Sequence, residues 1–224
     1  MLVMIENILD DDSLRTALEV IDDAKFGDGR LSAGSMAACV KDNEEVEPRE
    51  SAVAAVNALV GARLHSHPTF QAATMPLKLA SFTLARYLAG MHYGPHTDDP
   101  IMGTAGAHLR ADIAVTVFLT PPSSYAGGEL VIKTAFGEAR HKGEAGAALV
   151  YPASSLHRVE PVTDGERKVA LTWVQSMVRD GAQREVLYDL WSAREALRGG
   201  LPEAQVTSEI DRVYAQLVRM WAEL

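Results

Sequence analysis

The sequence predicts a mainly β protein with flanking helices, its strands stacked as a sandwich or jelly roll. Two observations carry this. From about Leu77 to Ser176, short β-like runs are separated by Gly and Pro turns, which suits a sandwich or jelly roll better than a βαβ sheet. On both sides the apolar spacing changes to that of helices. The 224 residues, 47% apolar and 23% charged, exclude disorder as the main state. They suffice for one sizeable core.

Three segments follow: 1–76 as an α/β segment packed on the core, 77–178 as the core, and 179–224 as a helical extension. In the first, Asp12 or Ser13 is the expected cap of a helix that presents Leu14, Ala17, Leu18 and Ile21 on one face. Phe26 to Pro48 reads as loops with short strands, and Glu50 to Leu64 as a helix with Val53, Val56, Leu59 and Val60 inward. The clearest strands are Leu77–Tyr87, Asp112–Leu119, Glu129–Thr134, Ala147–Tyr151 and Lys168–Val174. Beyond Asp180, Val186, Leu187, Leu190 and Trp191 form one helical stripe. After a break at Gly199–Pro202, Val206, Ile210, Val213, Leu217 and Trp221 form another. These helices read as a hairpin on the barrel; the sharper alternative is the surface of a homodimer or of another partner.

A net charge of −9 argues against nucleic acid and anionic membrane as partners. No apolar run approaches the length of a membrane span, and the first residues lack a secretory signal. A single cysteine, Cys39, excludes an intramolecular disulfide. A soluble, cytoplasmic protein is expected.

The candidate chemistry begins at His96-Thr-Asp98. In an extended segment, residues two apart share a face, so an imidazole and a carboxylate can converge on one cation. His157 follows a predicted strand and turn; in a closed barrel it returns beside them. Two histidines and a carboxylate leave three metal positions open, the facial arrangement of non-haem Fe(II) oxygenases. Arg167 shares parity with Val169, Leu171 and Trp173, the larger apolar residues of its strand. An inward arginine is costly unless paired. No acid of its strand shares that face, so an external carboxylate is the natural partner. A metal with open sites and a fixed cation nearby match the needs of a 2-oxoglutarate-dependent oxygenase.

Tyr87-x-x-Gly90-x-x-Tyr93-x-x-His96-x-Asp98 and Gly127-Gly128-Glu129-Leu130 resemble the prolyl 4-hydroxylase-type signature of Fe(II)/2-oxoglutarate dioxygenases. Ala33-Gly34-Ser35, Val40-Lys41, Tyr151-Pro152, Leu156-His157-Arg158-Val159 and the run from Pro161 to Arg167 bring the text closer to the PKHD-type hydroxylases. That resemblance covers nearly the whole chain. It implies a double-stranded β-helix, iron on His96, Asp98 and His157, and 2-oxoglutarate on Arg167 with Tyr87 reaching it. It also implies O2 as co-reactant, ascorbate as reductant and hydroxylation of an unactivated C–H bond in a small-molecule or peptide substrate. A link to iron or siderophore uptake comes with the group. A non-catalytic iron or 2-oxoglutarate sensor and a cupin-like isomerase or hydrolase are the rivals; Arg167 speaks against the second.

Other polar residues have blander readings. Asp99 faces away from Asp98 and is solvated or part of a local turn. His65-Ser-His67 lies in a polar connector with no third ligand. Gly94-Pro95 excludes a helical His92–His96 pair, which leaves His92 as pocket lining. His108 and His141 lack motif context. Ser154 and Ser155 have no nucleophile elbow, and Cys39 has no paired base.

Overall fold

The computed structural model describes residues 1–103 and 106–224. Two antiparallel sheets face each other. The larger runs, in spatial order, Val3–Ile5, Ala148–Pro152, Ile113–Phe118, Arg167–Ser176, Thr83–Tyr87, Glu44–Val46 and Phe26–Asp28, with Pro76–Leu79 also paired to Arg167–Ser176. The smaller runs Gly137–His141, Leu130–Thr134, His157–Val159, His92–His96 and Lys41–Asp42. From Thr83 onward, successive long strands alternate between the sheets or return by hairpin. The result is the jelly roll.

The larger sheet is buried on both faces, which explains its sequence. Ile113–Phe118 reads IAVTVF, an unbroken buried run rather than an alternation. Ile113, Val115 and Val117 point outward to a core shared with Val53, Val56, Val60 and Leu64 of the helix Ser51–Ser66. Ala114 and Phe118 point inward to Leu130, Leu149 and Val159. Fully burying one such aliphatic or aromatic side chain contributes about 1.5–3 kcal/mol, so both layers hold the sheet. The same two-sidedness holds for Arg167–Ser176. Val169 lies in the inner core, whereas Ala170 and Val174 lie in the outer one.

Several boundaries differ from expectation. The cap of the first helix, Asp11–Asp22, is Asp10, whose carboxylate accepts from Ser13 N at 2.9 Å. Asp12 and Ser13 are inside the helix. The expected run Leu77–Tyr87 is two strands, Pro76–Leu79 and Thr83–Tyr87. Both pair with Arg167–Ser176, and the intervening Phe82 N donates to Asn57 Oδ1 on the covering helix at 2.9 Å. The chain leaves the ladder there to meet that helix. His65 is not in a connector; it belongs to the last turn of Ser51–Ser66, and a further helix, Pro68–Thr74, begins at the favourable N-terminal proline.

The N-terminal segment closes the open edge of the jelly roll. Lys41–Asp42 extends the smaller sheet beside His92–His96, and Glu44–Val46 extends the larger one beside Thr83–Tyr87. The chain therefore crosses between sheets at Asn43. The terminal helices Gly181–Gly200 and Gln205–Trp221 form the expected hairpin. Leu187 and Val178 anchor it with Met75, and Tyr214, Leu217, Val218 and Trp221 pack against them. Val206 and Val213 are exceptions to the predicted stripe, because they remain exposed.

Candidate active site

His96 ends the strand His92–His96, and His157 begins its neighbour His157–Val159. The two residues are direct cross-strand partners. Antiparallel pairing thus brings together two positions 61 residues apart, and their ring centroids lie 4.2 Å apart. Asp98 sits just past the strand end and brings Oδ1 to 3.8 Å from His157 Nε2. One ligand atom from each of His96, Asp98 and His157 lies within 4.8 Å of the others, a group that could hold a metal ion. Each imidazole is held by its Nδ1, which meets the Gly94 carbonyl at 2.8 Å in His96 and the Ser155 carbonyl at 2.9 Å in His157. Those contacts commit Nδ1 and leave Nε2 for a metal. Burial lowers the His96 pKa to about 4 and keeps that ring neutral at pH 7. Burial raises the Asp98 carboxyl, while His157 draws it back.

A register shift positions the neighbouring tyrosine. His157 pairs with His96, but Val159 pairs with Tyr93, so three residue steps on one strand oppose two on the other. The bulge breaks strict alternation and places Tyr93 on the site face. Its ring stacks on His96 at 3.6 Å with an interplanar angle of 12°. The shift also corrects the expectation for His92, which is absent from the cavity wall and pairs instead with Asp42.

The triad opens into a cavity of about 280 Å³ whose wall also carries Tyr87, Tyr93, Tyr151, Arg167, Leu171 and Trp173. Arg167 is 1% exposed, and its Nε and Nη1 have no hydrogen-bond partner among the described residues. The guanidinium lies 5.1 Å from the centroid of the Tyr87 ring and 5.9 Å from that of Phe118. A buried cation with free donors is costly unless something pairs with it. Burial pushes the Tyr87 hydroxyl up to about 12, so it stays a neutral donor. Tyr125, which sequence reasoning did not single out, also leaves a buried hydroxyl unpaired, and the Arg167 charge opposes the effect of burial on it. Its signal was present in the adjacent Gly127-Gly128 turn. Both glycines have positive φ, and a Cβ on Gly128 would stand 3.1 Å from Arg167 Cδ.

Three comparisons bear on this geometry. The family model of the 2OG-Fe(II) oxygenase superfamily matches residues 82–175. A PKHD-type hydroxylase of Thioalkalivibrio sulfidiphilus is 52% identical over 224 residues, all of both chains. One from Synechococcus sp. strain JA-2-3B'a(2-13) is 41% identical over the same full length. The chain belongs to the PKHD-type hydroxylases. It is an oxygenase enzyme of the 2OG-Fe(II) superfamily. Its fold resembles that of a Pseudomonas putida prolyl-4-hydroxylase, with TM-score 0.51, 18% identity, and 78% of this chain and 92% of that one covered. It also resembles a Trichoplax adhaerens prolyl hydroxylase in complex with a hypoxia inducible factor peptide fragment, with TM-score 0.55, 15% identity, and 83% and 86% covered.

In this hydroxylase the triad residues and Arg167 share one cavity with a second polar group that the sequence did not reveal. Lys41 Nζ lies 2.5 Å from Glu45 Oε1 and donates to Ser32 Oγ at 2.9 Å. Lys41 also sits 5.1 Å from the centroid of the Tyr93 ring. The remaining histidines lie apart from the triad: His65 is exposed with Nδ1 on the Gly61 carbonyl, and His67, His108 and His141 are not in the cavity wall. Asp99 is exposed, as expected, but it also borders the cavity beside Asp98 rather than facing away from it, because the extended strand has ended at His96 and strict alternation no longer holds. No helix among the described residues is long and apolar enough to cross a membrane.

Proposed function

We propose that His96, Asp98 and His157 hold Fe(II) and that Arg167 holds the far carboxylate of 2-oxoglutarate, with Tyr87 and Tyr125 as neutral donors beside it. The observation that carries this is the pairing of a metal-competent triad with an otherwise unpaired, buried arginine in one cavity. When bound, the iron and the 2-oxo acid supply oxidation of a C–H bond by O2, with succinate and CO2 as coproducts. The donor set suits ferrous iron, since two neutral imidazoles and one carboxylate leave coordination positions for other ligands.

The protein's own residues do the positioning. The Gly94 and Ser155 carbonyls fix the two imidazoles through Nδ1, and the Tyr93 ring pins His96 from the side. Trp173 Nε1 and Asp98 Oδ2 are both buried without another partner, and the indole draws the Asp98 pKa down. The indole thereby favours the ionised carboxylate that a metal needs. Arg167 and the tyrosine hydroxyls orient the dicarboxylate by its distal end. Leu171 and Trp173 keep the cavity wall apolar and exclude water from the oxidising centre.

The substrate is a small molecule or a peptide, with a connection to iron or siderophore uptake. Ascorbate serves as the reductant that returns stray ferric iron to the ferrous state, and a reducing cytoplasm is the matching compartment. The test is turnover. Purified protein with Fe(II), ascorbate and carboxyl-labelled 2-oxoglutarate releases labelled CO2, slowly without substrate and faster with it. Absence of release across a broad substrate panel, with iron and 2-oxoglutarate both bound, sinks the catalytic reading in favour of a sensor.

A further inference from the structure

The last helix, Gln205–Trp221, is apolar over more of its circumference than its own chain covers. Tyr214, Val218 and Trp221 turn inward onto Met177, Val178 and Leu187, and Leu217 packs there along one side while staying half-buried. A neighbouring stripe stays in solvent: Val206 is 45% exposed, Val213 42%, Met220 72% and, just past the helix end, Leu224 98%. At about 100° per residue, the directions of Val206, Val213 and Met220 fall within about 40° of one another. Together with the half-buried Ile210 and Leu217, the stripe alternates steps of four and three: 206, 210, 213, 217, 220, 224. That is the seam spacing of a coiled coil, in which each knob needs a facing helix. Solvated patches of this kind mark interaction surfaces.

We propose that this stripe is the interface of a two-fold dimer, in which the last helix packs antiparallel against the same helix of a second copy. The stripe is its own complement. Turned about a two-fold axis near Ala215, Ile210 meets Met220, Val213 meets the open side of half-buried Leu217, and Val206 reaches Leu224 in the three residues past the helix end, so each exposed residue of the stripe has an apolar partner. A self-complementary patch is what a two-fold contact requires. The charges agree. Although the chain carries −9 overall, the flank of the stripe presents Glu209, Arg212, Gln216, Arg219 and Glu223, which sum to zero. Two copies therefore approach along this face without net repulsion. The wall of the triad cavity contains no residue of the last helix.

Sedimentation velocity on the full chain across about 1–100 μM tests this. Wild type is expected to sediment as a dimer in the upper part of that range. Val213→Glu and Met220→Glu should raise the dissociation constant about a hundredfold or more, because two-fold symmetry counts each lost apolar contact twice. Far-UV circular dichroism spectra should stay unchanged, and Met220→Gln replaces either variant that fails to fold. In a Cys39→Ser background, Ile210→Cys with Met220→Cys should form disulfide-linked dimers and Met220→Cys alone should not. A wild-type monomer at 100 μM, or a dimer indifferent to Met220→Glu and Met220→Gln, overturns the interface. Cross-linking by Met220→Cys alone overturns the antiparallel arrangement.

Discussion

Replacing Arg167 with methionine should push ligand affinity and fold stability in opposite directions. The arginine is 1% exposed, with Nε and Nη1 free of partners among the described residues, and no acid pairs with it; Tyr87, Phe118 and Tyr125 stand beside it. In the empty protein it is therefore a buried charge without compensation. Exchanging such groups for well-packed apolar ones of similar volume stabilises folds by about 1–4 kcal/mol in comparable cases. Methionine is unbranched and fills the same channel past Gly128, so thermal unfolding of the metal-free variant should occur at the wild-type temperature or above it. The effect on 2-oxoglutarate has the other sign. Truncating one partner of a buried, hydrogen-bonded charge pair costs about 2–5 kcal/mol, or roughly thirtyfold to several thousandfold in affinity at about 1.4 kcal/mol per tenfold. Titration of 2-oxoglutarate into the Fe(II)-loaded variant under anaerobic conditions reads the second effect, and a thermal melt reads the first. Iron affinity measured without 2-oxoglutarate should not weaken, because the arginine only repels the metal. Arg167→Lys should recover only part of the loss, because an ammonium cannot present a bidentate fork. A variant that loses stability and iron binding together refutes the reasoning, since it would show Arg167 to be a structural member of the core.

Other perturbations have equally definite outcomes. Asp98→Asn should abolish tight Fe(II) binding with little effect on the melting temperature, because the amide keeps the shape and removes the anion; equilibrium dialysis against Fe(II) checks it. Lys41→Met alone leaves Glu45 buried and unpaired, a loss of about 3–5 kcal/mol, whereas Lys41→Met with Glu45→Leu should regain most of it in urea unfolding. Gly127→Ala places a Cβ, at φ +71, 2.1 Å from the Pro161 carbonyl oxygen, so soluble yield and melting temperature should both fall sharply. Leu187→Ala, at a fully buried hairpin anchor, should cost about 2–5 kcal/mol in denaturant unfolding while leaving 2-oxoglutarate affinity intact.

The sequence was most legible where chemistry and periodicity coincide. Parity alone placed Arg167 inward with Leu171 and Trp173, and all three line the cavity. The spacing of His96 and Asp98 and the turn before His157 were enough to suggest convergence, because cross-strand pairing does the rest. What was lost has physical causes. The bulge between Tyr93 and His96 is a pairing irregularity set by the neighbouring strand, invisible to a period-two rule, and it moved His92 off the wall. The split at Ala80–Phe82 depends on Asn57, a contact across 25 residues that local propensity does not encode. The buried pair of Lys41 and Glu45 went unread because nothing local shows that their segment crosses between the sheets. The exposed half of the last helix was misjudged because the amphipathic stripe is wider than the surface available to cover it within one chain.

The arrangement of charge in the cavity yields a last expectation. Lys41 and Glu45 neutralise each other, and burial keeps His96 uncharged at pH 7. Asp99 also borders the cavity but is exposed, where water screens its charge; the buried groups whose charges a ligand can exploit are then Asp98 and Arg167, one negative and one positive. On the proposed reading Fe(II) adds two positive charges and 2-oxoglutarate two negative ones, so the buried part of the cavity, solvated Asp99 left aside, is neutral both when empty and when fully loaded. Either half-loaded state carries two uncompensated charges in a poorly solvated site, where Coulomb terms are several-fold stronger than in water. Metal and dicarboxylate should therefore bind with positive coupling, and linkage requires each to tighten the other by the same factor. Mn(II), a redox-inert stand-in, allows both arms to be measured by calorimetry: Mn(II) into protein with and without 2-oxoglutarate, and the reverse. A coupling of at least tenfold is expected, and it should persist in Arg167→Met, where the dicarboxylate loses its own counter-charge but its attraction to the metal remains. Equal affinities with and without the second ligand would show that solvent in the cavity already compensates the charges and that the electrostatic account of this site is wrong.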